Sequence, residues 1–180
     1  MKKENVILVD LDDQEIGVME KMEAHEKGLL HRAFSVFIFN SEGEILLQKR
    51  DSKKYHSGGL WSNTCCSHPR PGENIYEAAN RRLDEEMGMK ANLLPAFSFI
   101  YKAHLDQNLI ENELDHIFIG YSNDLPIINI SEVENYCYVS PELLTLGIEK
   151  HPEEYSAWLK ICFQELLNHI NKNSYYEKIS

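Results

Sequence analysis

At 180 residues, with 43% of them hydrophobic, the chain is long enough for one domain with a real core and too short for two ordinary ones. Its net charge of -11 leaves no general basic face, which argues against nucleic acid as a partner. No stretch is apolar enough to span a membrane, and the first apolar run, VILVD, is too short for a secretory signal. The four cysteines are therefore expected as free thiols in a reducing cytoplasm.

In chain order, ENVILVD predicts a strand that ends in an acidic turn, LDDQ. EKMEAHEKGLL predicts a short helix or loop delivering His25 and His31. AFSVFIFN is almost continuously apolar, as a strand buried on both faces is. SEGE reads as a hairpin turn and EILLQKR as the return strand. DSKKYHSGGL is a basic, glycine-bearing loop. WSNTCCS is a short strand or its end, and HPRPGE a turn with two prolines. NIYEAANRRLDEEMG predicts a helix stopped by Gly88. AFSFIYKAHL and ELDHIFIGYS read as strands joined by DQNLIEN, and ISEVENYCYV as another. SPELL opens with a capping serine. PEEYSAWLKICFQELLNHINK predicts a long helix, with Tyr155, Leu159, Cys162, Phe163, Leu166, Leu167 and Ile170 at helical spacing. Strands outnumber helices and the two are interspersed, which predicts an α+β fold: a mixed sheet flanked by helices.

The helix over residues 74–88 departs from a simple amphipathic pattern. Its apolar stripe of Ile75, Ala78, Ala79 and Leu83 also gathers Arg82 and Glu86, four residues apart on one face. Either these form an ordinary ion pair at the edge of the stripe, or the helix turns charge toward a polar cavity. Counting back from Gly88 and Met89 gives Glu86, Glu85, Arg81, Glu73 and Ser67. That spacing resembles the Nudix box, G-x5-E-x7-R-E-U-x-E-E-x-G-U. Clustered carboxylates of this kind hold a divalent cation that bridges to a diphosphate. Two positions depart from the pattern: Ser67 stands in place of the first glycine, and Arg82 in place of a metal-binding glutamate. The scaffold resembles Nudix while its usual hydrolysis looks disabled.

Three further segments, AHEKGLLH, NTCCSHP and ENEL, occur in that order. With the degenerate box they resemble the type 1 isopentenyl-diphosphate isomerases, from about Lys21 through the final helix. The resemblance implies a single Nudix-like α/β/α sandwich domain over 1–180. Its core would span about 30–165, with an N-terminal extension, 1–29, that contributes a metal ligand and a substrate lysine. It implies a divalent metal (Mn²⁺, Zn²⁺ or Mg²⁺) on His25, His31, His68, Glu111 and Glu113, a donor set that is chemically sensible for such an ion. Glu111 and Glu113 are two apart and share a face of an extended strand. The family's acid/base thiol lies two residues before the ligand histidine, which selects Cys66. Strand neighbours face opposite ways, so Cys65 is assigned to packing.

The implied reaction moves a double bond in a five-carbon diphosphate through a tertiary carbocation. Cys66 and Glu113 would flank the hydrocarbon, Tyr101 would assist Glu113, and Trp158 with Trp61 would supply π faces. Lys21, Arg50, Lys54 and Arg82 match the family's diphosphate contacts, with Lys53 a weaker candidate, and Glu86 would hold Mg²⁺ against the diphosphate. No flavin is expected, because no dinucleotide fingerprint is present. His56, His104, His116, His151 and His169 are read as surface or satisfied core residues, and Cys137 and Cys162 as small buried hydrophobes. A Nudix-type diphosphate hydrolase is the alternative activity, and a non-catalytic metal-binding module the alternative class. A monomer and a homodimer both remain open.

Overall fold

The computed structural model describes residues 4–54 and 56–177, with side chains described up to residue 172. The fold is organised around β3 (His31–Phe39). Its uninterrupted apolar sequence fits its place: β8 (Ile110–Tyr121) pairs with it in parallel along its whole length, from His31↔Glu113 to Phe39↔Tyr121. On the other edge, the short β6 (Cys65–Ser67) pairs antiparallel with it, Ser35 opposite Cys66. Strand β7 (Leu94–His104) extends the sheet antiparallel to β8. Strand β4 (Ile45–Arg50) returns from β3 through a tight turn and pairs with β9 (Val133–Val139) and β5 (Trp61–Ser62). Ahead of all these, β1 (Asn5–Val9) and β2 (Glu15–Glu20) form a hairpin joined to β3 at Leu8↔His31.

The period-two alternation of β3 divides the core into two layers. Phe34, Val36 and Ile38 pack against Ala78, Ala79, Leu83 and Met87 of α2 (Ile75–Met87). Phe37 and Phe39 face Leu159, Cys162, Phe163 and Leu166 of α4 (Ala157–Glu177). Helix α3 (Pro141–Lys150) adds Leu144 to the second layer. Helices therefore flank a mixed sheet, as expected.

The ends of α2 follow from local chemistry. The Asn74 side chain accepts the backbone N–H groups of Tyr76 and Glu77 at the N-terminus. At the C-terminus Gly88 sits in the left-handed region with φ 60°, and a Cβ there would fall 2.5 Å from the Ile127 carbonyl oxygen. No helix among the described residues is long and apolar enough to cross a membrane.

Three details differ from the sequence reading. Strand β2 was not expected; its Ile16 and Val18 are exposed, so EIGVME lacks the buried face that makes a strand legible. Tyr155 lies before α4, in a single bridge to Trp61, and is not part of the helical stripe. His31 begins β3 instead of ending the segment around α1 (Lys21–Lys27).

Candidate active site

A cleft opens between β3, β6, β8, the loop that carries Lys54 and His56, and the two flanking helices. Five buried or half-buried side chains converge at its wall. His25 comes from α1, which Gly28 terminates at φ 59°. His31 and Glu113 are cross-strand partners on β3 and β8. Glu111 lies two residues before Glu113 on the same face, and His68 follows β6. One ligand atom from each of the five lies within 4.8 Å of every other. His25 and His31 are fully buried, while His68, Glu111 and Glu113 line the cleft.

These atoms fit a divalent cation better than they fit one another. His25 Nδ1 faces the Lys21 carbonyl at 2.6 Å and His31 Nδ1 faces that of Leu29 at 2.8 Å. A carbonyl only accepts, so each Nδ1 carries the proton and each Nε2 presents a lone pair. His31 Nε2 nevertheless lies 3.2 Å from His68 Nε2. His25 Nε2 and Glu111 Oε2 approach to 3.0 Å, yet both are buried and neither meets a described hydrogen-bond partner. Lone pairs aimed at one small volume, with orphaned atoms around it, are what a cation of the Zn²⁺, Mn²⁺ or Mg²⁺ kind satisfies.

Glu113 also meets the remaining chemistry. Its Oε1 lies 2.9 Å from His68 Nε2, and its Oε2 accepts from the Tyr101 hydroxyl at 2.5 Å. Burial pushes the Glu113 carboxyl up, but the neighbouring His31 ring and the hydrogen bond from the Tyr101 hydroxyl outweigh it and hold the group below the ordinary carboxylate range. Burial pushes the Cys66 thiol up to about 12. The cleft therefore presents a protonated thiol and an ionised carboxylate. Cys65, one residue earlier, points to the opposite face and packs in the α2 layer.

The four cations assigned from sequence, Lys21, Arg50, Lys54 and Arg82, all line this cleft. Arg82 pairs with Glu86 in the next turn of α2, and its Nη1 lies 2.9 Å from Glu85 Oε2. Lys54 pairs with Glu132, which also lies 3.6 Å from Arg82. Glu86 accepts from Gln48 Nε2 at 2.7 Å and is almost fully buried. Trp158, in the first turn of α4, donates its indole N–H to Ser62 Oγ at 2.8 Å, and the Arg50 guanidinium sits 4.9 Å from its ring centre. Lys53 lines a neighbouring depression with Glu132 instead. Trp61 is not brought to the cleft: it packs on the α4 layer beside Tyr155, so Trp158 alone of the two indoles faces the site.

Sequence reasoning passed over three polar lining residues. Ser35 stands opposite Cys66 across the β3–β6 pairing. Ser67 fills the position where the Nudix box has glycine. His56 was dismissed as an ordinary histidine, yet it is 6% exposed and faces Glu111. Its glycine-bearing loop, packed tightly among cations, was the available signal.

A NUDIX domain matches residues 29–159. Solved structures agree with this at the level of fold. A crystallised Deinococcus radiodurans protein superposes with TM-score 0.76 at 20% identity, covering 90% of this chain and 98% of that one. The MutT protein of Methanosarcina mazei superposes at 0.64 with 21% identity, covering 80% and 95%. The chain is a Nudix domain protein, with a histidine and carboxylate centre beside its degenerate box. A curated relative in Pectobacterium atrosepticum, isopentenyl-diphosphate Delta-isomerase, is 52% identical over 89% of this chain and 90% of its own length. Isopentenyl-diphosphate Delta-isomerase 2 of Aromatoleum aromaticum is 48% identical over 92% and 88%. The chain belongs to the isopentenyl-diphosphate Delta-isomerase family.

Proposed function

We propose that this protein interconverts isopentenyl diphosphate and dimethylallyl diphosphate. The observation that carries this reading is that the Cys66 thiol and the Glu113 carboxylate line one cleft that also gathers four cations. Isomerisation needs one proton delivered to an unactivated alkene and another removed from an adjacent carbon. Cys66 and Glu113 serve as this acid/base pair on the two faces of the hydrocarbon, and the Tyr101 hydroxyl steadies the Glu113 carboxylate. The tertiary carbocation between the two steps has no stabilising solvent, and the Trp158 indole face offers it about 1–2 kcal/mol when desolvated.

Lys21, Arg50, Lys54 and Arg82 hold the diphosphate, and Glu86 carries the Mg²⁺ that accompanies it. A divalent cation on His25, His31, His68, Glu111 and Glu113, when bound, supplies positive charge that keeps Glu113 ionised and in place. Hydrolysis is disfavoured by Arg82, whose guanidinium occupies the position of a Nudix metal-binding carboxylate. We place the enzyme in the cytoplasm, acting on a small molecule and not on nucleic acid. Four free thiols and the net negative charge support that placement.

The test is incubation with isopentenyl diphosphate in deuterated water with divalent metal. Deuterated dimethylallyl diphosphate is expected. Release of phosphate or pyrophosphate would favour a hydrolase, and recovery of both five-carbon diphosphates unchanged would leave only a binding module.

A further inference from the structure

His56 belongs to none of the roles above, yet it occupies the junction between two of them. Its Nε2 lies 3.7 Å from Glu111 Oε1. Its ring meets the Trp158 indole edge-on, with centroids 5.6 Å apart at 87°. Its Nδ1 is 3.3 Å from Ser57 Oγ, and its carbonyl oxygen accepts from Arg50 Nη2 at 3.4 Å. When the Ser57 hydroxyl donates to Nδ1, the ring proton sits on Nε2 and is directed toward Glu111.

The two oxygens of Glu111 are thereby divided. Oε2 is turned to His25 Nε2, at 3.0 Å, while Oε1 is turned to His56. Metal-binding carboxylates are commonly steadied in this way through the oxygen or face the ion does not use.

The backbone independently points to a held position. Ser57 adopts φ 50°, a left-handed conformation that side-chain-bearing residues avoid unless their surroundings impose it. Gly58 packs so closely that a Cβ would lie 2.6 Å from the Ser52 carbonyl oxygen. The same loop carries Lys54, and Arg50 leads into it from β4.

We propose that His56 is a positioning residue that supports Glu111 and abuts Trp158, so that occupancy of the histidine and carboxylate centre is transmitted to the indole over the substrate tail. The inference rests on the metal reading of that centre.

The experiment uses metal-stripped full-length protein carrying Trp61→Phe, so that Trp158 is the sole indole. Zn²⁺ is titrated by equilibrium dialysis and, in parallel, by tryptophan emission. The parent is expected to bind Zn²⁺ with a change in emission. His56→Ala is expected to lose about 10–100-fold in Zn²⁺ affinity and to lose the emission change. His56→Gln, which keeps an N–H donor, is expected to recover most of both. Unchanged affinity in His56→Ala overturns the proposal, as does equal impairment of the alanine and glutamine variants. A parent that binds no Zn²⁺ removes the metal reading itself and His56 with it, whereas equal binding by parent and His56→Ala removes only the role of His56.

Discussion

Tyr101 and Glu113 stand directly opposite each other on β7 and β8, and the tyrosine hydroxyl donates to the Glu113 carboxylate at 2.5 Å. The same carboxylate has its other oxygen on His68, so each of its oxygens has a fixed partner. Tyr101→Phe is expected to lower kcat by about 100-fold, the lower end of what a group assisting proton transfer contributes, while KM for isopentenyl diphosphate stays nearly constant. Glu113→Gln is expected to abolish deuterium uptake into either five-carbon diphosphate. Mass spectrometry of the substrate pool after long incubation checks both, and ordinary turnover by Glu113→Gln contradicts the assignment.

The paired thiols separate cleanly. Cys66→Ala is expected to eliminate isomerisation with the fold intact. Cys65→Ala, in the α2 layer, is expected to retain it with at most a modest loss of thermal stability, since a buried small hydrophobe is being shortened. Turnover assays beside thermal denaturation of the two variants decide the matter. Survival of the first and death of the second would reverse the choice of thiol.

Arg82 offers a third measurement. Arg82→Gln keeps the polarity of the side chain but removes the charge, and it leaves Glu86 without its cation while Glu85 keeps Arg81. Calorimetric titration with inorganic pyrophosphate and Mg²⁺ is expected to show at least a tenfold weaker complex, which is about 1.4 kcal/mol. The charge-reversed Arg82→Glu is expected to bind more weakly still. Equal affinity across the three proteins would remove Arg82 from the diphosphate site.

A fourth prediction concerns acid. Glu73 takes a forked pair of bonds from Arg81, at 2.6 and 2.9 Å, and a third from the Arg70 backbone N–H at 2.8 Å. The Arg81 hydrogen bond outweighs burial and holds the Glu73 carboxyl below the ordinary carboxylate range. A depressed native value stabilises the fold above the unfolded value, about 4.3, and that contribution disappears as pH falls through the native one. Melting curves between pH 7 and pH 3 are expected to show Glu73→Gln lower than the parent by a few degrees at neutral pH. The two should converge toward pH 3, and parallel curves would contradict the assignment.

Much of this was legible in the chain, and unevenly so. The apolar run of β3 and the capped, glycine-stopped α2 are local signals, and the structure contains both. The spacing from Ser67 to Met89 and the three histidine and carboxylate segments name residues that the structure gathers at one cleft. Trp61 was not separable from Trp158 by sequence, because which indole meets the cavity depends on how α4 docks on β5. Glu132 and His56 were missed because the contacts that tie them to the site are long-range: Glu132 across 78 residues to Lys54, and His56 across 55 residues of chain to Glu111. Strand β2 was missed because it is an exposed edge with no buried face to reveal it.

The hairpin of β1 and β2 joins the central ladder at Leu8↔His31, and His31 is itself one of the five converging side chains. That hairpin is thus fastened at the same spot where the imidazoles and carboxylates meet. Withdrawing an ion from that spot would leave like-natured donor atoms facing one another beside the hairpin's anchorage. Sequestering agents should therefore expose the opening segment to proteolytic nicking before any other part of the sheet, and the first cut would report an empty centre without any assay of turnover.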